Sequence, residues 1–265
     1  MVVLAGARGS GCGSRGPNGL LPSGVTRAPG QDGVLTRWLA GRSRSCVLLA
    51  VAAPREAEAV FEGLGVATPP GLRDWSVVAA APGVDVVRTG VGKASAAGAV
   101  ARGLDPARHA GVICVGVAGT LPGSPAGLGD VVLATASVFG DEGLATPDGF
   151  VGCAEMGFPL GGFAGAAVPL DAGLRERLAP LAAHVGVIAT VSTCSGRDDL
   201  AHELARRTGA LAEGMEGAAV AAVAHRLRVP AGELRVISNT TGDRGTQRWD
   251  LGGALSRLSR VMGRL

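Results

Sequence analysis

The feature that most restricts the fold is a series of short, almost unbroken apolar runs. Four stand out: residues 46–53 (CVLLAVAA), 110–119 (AGVICVGVAG), 130–139 (DVVLATASVF) and 185–194 (VGVIATVSTC). None alternates polar with apolar residues as a half-exposed strand does, so each reads as a strand covered on both faces. Residues 75–90 (WSVVAAAPGVDVVRTG) read as two strands about the Pro82-Gly83 turn, and residues 233–239 (ELRVISN) as another strand. Helical patterns lie between them, at 55–64, 93–104, 174–184, 198–207, 214–225 and 251–262. The alternation predicts an α/β domain with helices layered on a parallel or mixed sheet.

Length allows one ordinary domain with a sizeable core, or at most two small ones. Residues 1–44 hold ten glycines, three prolines and six arginines without strand or helix period. They read as a disordered extension or an over-long gene start, which leaves 45–265 as the folded domain. The net charge of +3 comes from the extension and not from the body: up to Ser45 the balance is +5, and from Cys46 onward 19 basic residues face 21 acidic ones. A slightly acidic body without a basic stripe argues against a nucleic-acid partner. No apolar run reaches the roughly 18–20 residues of a membrane span. The cysteines, at 12, 46, 114, 153 and 194, form no CxxC pair. They suit reduced thiols in the cytoplasm. Histidines 109, 184, 202 and 225 are scattered, so sequence spacing assigns neither metal nor cofactor.

In layered α/β folds ligands sit at the carboxyl ends of strands. Those ends carry Ala53-Pro54-Arg55-Glu56, Thr89-Gly90-Val91-Gly92, Gly116-Val117-Ala118-Gly119 and Ser238-Asn239. The stretch RTGVGKAS lacks the first glycine and the Ser/Thr of a phosphate loop, and VGVAGT lacks the first glycine of a dinucleotide fingerprint. Glu56, in the first turn of a helix, is either a favourable N-terminal charge or a general base able to hold water. Glu216 opens a helix that is apolar all round and therefore buried, so its carboxylate needs partners. An acceptor-only carboxylate suits a vicinal diol, and Met215 beside it is either core or the floor beneath a sugar. Asn239 is either a turn residue or an amide that donates and accepts along a purine edge.

In order, Glu56, TGVGK, GVAG, GLGDVVLA, GMEGAAVA and ISN resemble the nucleoside phosphorylase/nucleosidase superfamily. The resemblance runs from about Cys46 to the C-terminus. It is nearest to the methylthioadenosine/S-adenosylhomocysteine nucleosidases and, nearer still, to the branch that hydrolyses futalosine on the way to menaquinone. It implies a three-layer α/β/α fold with a central mixed sheet, usually assembled as a homo-oligomer. The implied reaction is cleavage of the N-glycosidic bond of a purine nucleoside, with release of hypoxanthine from futalosine. By position, Glu56 matches the acid that activates water and Glu216 the acid that grips the ribose hydroxyls. Met215 matches the residue beneath the sugar, and Val117, Ala118 and Gly119 the backbone along base and ribose. Ser238 and Asn239 fall where adenine-specific members carry ISD; the asparagine cannot donate that acid's proton but suits a 6-oxopurine. VSTCSGRDD lacks the family's base-stacking phenylalanine, so stacking falls to residues 139–163, unless that segment is only a plugged surface loop. Phosphorolysis stays open, with Arg55 and Arg88 as phosphate ligands, and Arg197 is a candidate for a carboxylate on the ribose 5′ group. The alternatives are a 6-oxopurine nucleoside phosphorylase, an adenine-type nucleosidase and a nucleoside-binding protein without catalysis.

Overall fold

The computed structural model describes residues 33–265. In chain order it comprises α1 (Val34–Leu39), β1 (Cys46–Val51), α2 (Pro54–Gly63), β2 (Val77–Ala81), β3 (Val84–Arg88), α3 (Lys93–Gly103), β4 (His109–Thr120) and β5 (Val131–Phe139). There follow β6 (Gly143–Thr146), β7 (Gly149–Gly152), β8 (Ala167–Pro169), α4 (Ala172–Leu178), β9 (His184–Thr190) and α5 (Asp198–Thr208). The chain closes with β10 (Ala210–Gly214), α6 (Gly217–Arg226), β11 (Ala231–Thr240) and α7 (Leu251–Met262).

The buried runs become the centre of one mixed sheet in the order β10-β9-β5-β11-β4-β1-β3-β2, with β8 paired to β5. Every residue of β1 is buried. Val47, Leu49 and Val51 face the layer that holds α2 and α7, whereas Leu48 and Ala50 face α3 and α6. This alternation places helices on both faces, the three layers expected from the sequence. Small residues make the second helical layer thin: Ala96 and Ala99 of α3 and Ala218, Ala221 and Ala224 of α6 are fully packed. Small side chains let helices approach a sheet closely, and each buried methyl adds roughly 0.8 kcal/mol of burial.

One feature is absent from the sequence pattern. β10 pairs with β9 in parallel and also with β4 in antiparallel register, Glu213 opposite Gly119 and Ala212 opposite Thr120. β4, β11, β5, β9 and β10 thus close into a small barrel filled by Val132, Ala134, Ile188, Ala212 and Ile237. β1, β3 and β2 continue from it as an open wing.

The element boundaries differ from expectation at four places. Residues 34–39 form α1 and bury Val34, Leu35 and Trp38, so the folded body starts before residue 45. Residues 1–32 of the expected extension lie outside the described residues. The helix expected over 174–184 gives way after Leu178 to a 3-10 turn containing Pro180, whose ring cannot continue the α-helical ladder. β9 stops at Thr190, and the rest of its expected length is a loop. Gly214 ends strand β10 rather than opening a helix; α6 starts at Gly217.

Candidate active site

The carboxyl ends of β1, β4, β10 and β11 enclose a cavity of about 750 Å³. All eight residues expected at the site line it: Glu56, Val117, Ala118, Gly119, Met215, Glu216, Ser238 and Asn239. Local sequence explains their placement. Pro54 fits the first turn of α2, where no N–H partner is needed, and Glu56 reaches back to accept the Ala53 N–H at 2.8 Å. The other oxygen of Glu56 accepts the Val117 N–H at 2.8 Å, which ties β4 to the start of α2. Gly116 permits this approach, because a Cβ there would stand 2.5 Å from Glu56 Oε1.

Glu216, at the mouth of α6, accepts the Gly92 N–H at 3.0 Å through Oε1 and a guanidinium N–H of Arg235 at 3.2 Å through Oε2. Arg235 is 1% exposed and lies at the centre of the polar wall. It also donates to Glu233 at 2.9 Å, to the Cys114 sulfur at 3.1 Å and to the Val117 carbonyl at 3.4 Å. Ser137 donates to the second oxygen of Glu233. One cation therefore pairs with two buried acids, Glu216 and Glu233, and attracts a third, Glu56, without a direct bond to it. Burial raises the pKa of Glu56 above its ordinary value; attraction by Arg235 and the two backbone N–H groups oppose that rise, and repulsion by Glu216 adds to it. A carboxylate made more basic yet still ion-stabilised suits proton abstraction. Burial pushes the Cys114 thiol far up, so it is an inert packing group.

Asn239 accepts the Ser238 hydroxyl at 2.9 Å and donates to the Thr240 carbonyl at 3.0 Å. One amide hydrogen and one oxygen lone pair remain for a ligand. Its amide lies directly above Gly119, where a Cβ would come within 2.9 Å of Nδ2.

Several further expectations are corrected. None of Phe139, Phe150, Phe158 and Phe163 lines the cavity. Phe139 lies under the Lys93 ammonium, Phe150 under Arg207, and Phe163 packs edge-on against His225. The aromatic ring that does line it, alone among the described residues, is Trp249, which is 50% exposed. Arg244 stacks over that ring, 4.7 Å from its centre. Arg197 lies outside the cavity, paired with Asp199. Arg88 pairs with Asp74 at 2.5 Å and also lies outside, so of the two candidate phosphate ligands only Arg55 reaches the cavity. Sequence reasoning missed Arg235, Glu213, Ser195 and Trp249. The charged pair Glu233/Arg235, two apart in an otherwise apolar strand, was the readable sign of a buried polar face.

The fold also gathers Cys46, Asp85 and His109, with ligand-type atoms within 4.8 Å of one another, which linear spacing could not reveal. They stand at the amino ends of β1, β3 and β4, the opposite end of the sheet from the cavity. His109 Nδ1 accepts the Asp105 N–H, and Nε2 faces Asp85, which also takes two bonds from Arg108. With both ring nitrogens engaged, the cluster fits a buried ion-pair network rather than a metal centre.

Two buried acids paired with an arginine, and an amide above a glycine, thus contribute to one polar-walled site at the strand ends. Residues 76–265 match the Phosphorylase superfamily, and the chain belongs to that family. Within it, the chain is 41% identical over 226 residues to the futalosine hydrolase of Acidothermus cellulolyticus, covering 83% of this chain and 88% of that protein. It is 39% identical over 186 residues to the futalosine hydrolase of Thermus thermophilus, covering 68% and 79% respectively. In fold it is similar to the 5′-methylthioadenosine/S-adenosylhomocysteine nucleosidase of Helicobacter pylori, with a TM-score of 0.64, 20% identity and coverage of 84% of this chain and 96% of that one.

Proposed function

We propose that this chain hydrolyses the N-glycosidic bond of futalosine, releasing hypoxanthine and dehypoxanthine futalosine, a step of menaquinone biosynthesis. The chain spans most of two relatives named for that activity. The observation in the site that carries the reading is that Glu56, held by the Val117 N–H, and Glu216, paired with Arg235, line the cavity that also presents Asn239.

In this reading Glu216 accepts hydrogen bonds from the ribose hydroxyls, with Met215 beneath the ring. The base lies along Val117, Ala118 and Gly119. Asn239, braced by Ser238, donates to a ring nitrogen and meets the neighbouring carbonyl region of the 6-oxopurine. The C1′–N9 bond breaks with its electron pair going to the base, whose growing negative charge the Asn239 amide stabilises. Glu56 takes a proton from water as the water oxygen bonds to C1′. That proton balances the one the departing hypoxanthine acquires. Phosphate fits less well, because an anion at C1′ would face Glu56 and Glu216, and Arg55 is exposed at the rim. The four described cysteines are unpaired, which supports a reducing cytoplasm as the working compartment. No helix among the described residues is long and apolar enough to cross a membrane. Assembly as a homo-oligomer belongs to the same reading, and the exposed Leu144, on β6, and Phe158, six residues after β7, are apolar side chains that a partner would cover.

The test is base release from futalosine, inosine and methylthioadenosine, each with and without phosphate. Hypoxanthine from futalosine without phosphate is the expected outcome. Release that requires phosphate would make the enzyme a phosphorylase, and preferential adenine release would overturn the reading of Asn239.

A further inference from the structure

Glu213 has no part in the hydrolysis as described, yet it is a buried acid in the wall of the same cavity. It sits on β10, where the barrel closes, opposite Gly119 of β4. Asn239 of β11 is opposite Gly119 from the other side. Neighbouring strands are about 4.8 Å apart, so the two residues stand roughly 10 Å apart in one row across the sheet, with a glycine between them. Residues in one row present their side chains to the same face. A flat base lying over Gly119 thus meets an amide at one edge and a carboxylate at the other.

We propose that Glu213 reads the N1–H of the 6-oxopurine and is a specificity-determining residue of this site. The assignment rests on the 6-oxopurine reading of the substrate. Hypoxanthine carries a hydrogen on N1, whereas adenine presents a lone pair there. An ionised carboxylate accepts from the first and repels the second. Ser195 holds Glu213 in place by donating to it twice, through its N–H at 2.8 Å and its hydroxyl at 2.6 Å. Each carboxylate oxygen keeps a further lone pair after those bonds. The same loop is tied to the segment after β11, since the Gly242 N–H donates to the Ser195 carbonyl at 3.1 Å and the Gln247 amide donates to it at 3.3 Å. Ser195 therefore fixes the acid from a braced loop. Burial raises the Glu213 pKa, the Ser195 bonds oppose the rise and Asp141 adds to it, so base recognition should weaken as pH falls.

A polar site loses far more affinity for a ligand that lacks the matching hydrogen than an apolar site does, because its own buried group is left unpaired. Glu213→Gln keeps the shape but can donate or accept, and so should tolerate either base. Two measurements separate recognition from a purely structural anchor. The first is kcat/KM for futalosine and for its 6-amino analogue, in wild type and Glu213→Gln. The expected result is a fall in the 6-oxo/6-amino ratio of about 10- to 100-fold, carried mainly by KM. A parallel loss on both substrates, with the ratio unchanged, would mean that Glu213 only anchors Ser195. The second is calorimetric binding of hypoxanthine, N1-methylhypoxanthine and adenine to the wild-type protein, which needs neither the variant to fold nor the reaction to proceed. Strong preference for hypoxanthine over the N1-methyl base is expected, and equal binding overturns the proposal. If wild type binds hypoxanthine selectively but leaves futalosine intact, the proposed reaction fails while the role of Glu213 stands.

Discussion

Glu56 accepts two backbone N–H groups and faces a guanidinium, three influences that would ordinarily make it a stronger acid. Its pKa is nevertheless raised, because 6% exposure leaves the carboxylate almost no water and Glu216 stands nearby. As the group must be ionised to take a proton, turnover should fall as pH drops through a pKa above the ordinary glutamate value. The acid limb of the kcat/KM profile locates it. Glu56→Gln should lower kcat by about 10²–10⁴-fold, the usual worth of a general base, while nucleoside affinity by calorimetry stays close to wild type. Near-normal turnover in that variant would remove Glu56 from the chemistry. Both Glu56 and Glu216 were legible in the sequence as candidates because each is an acid at the start of a helix beside an apolar segment, although a favourable N-terminal charge accounts for such an acid equally well. Glu213 and Arg235 were not, since what gives them meaning is a partner on a strand distant in sequence.

The element that carries Glu216 illustrates what periodicity can and cannot reveal. The apolar helix α6 was visible, but β10, with sequence ALAEG, was not. Alanine, glycine and glutamate are poor strand formers, and here pairing with β9 and β4 overrides local preference. The turn between them, Met215-Glu216, gains its position from Gly217. A Cβ on that glycine would overlap the Glu233 carboxylate, which is buried and held by Arg235 and Ser137. Gly217→Ala should therefore cost about 1–3 kcal/mol of stability, read from urea denaturation, as overpacked sites commonly do. It should also weaken substrate binding as α6 lifts away with Glu216. A fully stable variant would mean that the helix start can shift without cost.

At the scale of the molecule, the segment before β1 proves to be part of the core. α1 lays Trp38, 4% exposed, against Gly111 of β4, where a Cβ would come within 2.9 Å of the indole. The Leu35 N–H also donates to the carbonyl of Leu265 at 2.9 Å, joining α1 to the end of the chain. Trp38→Ala should destabilise the fold by roughly 3–5 kcal/mol, measured as a lowered denaturation midpoint. An unchanged midpoint would show α1 to be dispensable. The spacing of Val34, Leu35 and Trp38 fits a short helix, but glycines and arginines around it dilute the pattern. The layered sheet itself was legible because the continuous apolar runs are short and alternate with helical patterns, the combination that marks doubly covered strands. The barrel was not, because closure depends on which edges meet and leaves no periodic trace.

The double engagement of β4, with β11 on one side and β10 on the other, sets limits on how such a site can diverge. With Glu213 and Asn239 proposed as the two walls of a base pocket, the gap between them is a multiple of an interstrand spacing, which exchange of a single side chain leaves in place. Widening or narrowing it would mean breaking a ring of main-chain bonds at once. New base preferences are therefore reachable in small steps only by exchanging the few side chains that project into a frame of constant width. Two lineages with different substrates can thus keep nearly superimposable backbones while differing at positions such as 213 and 239.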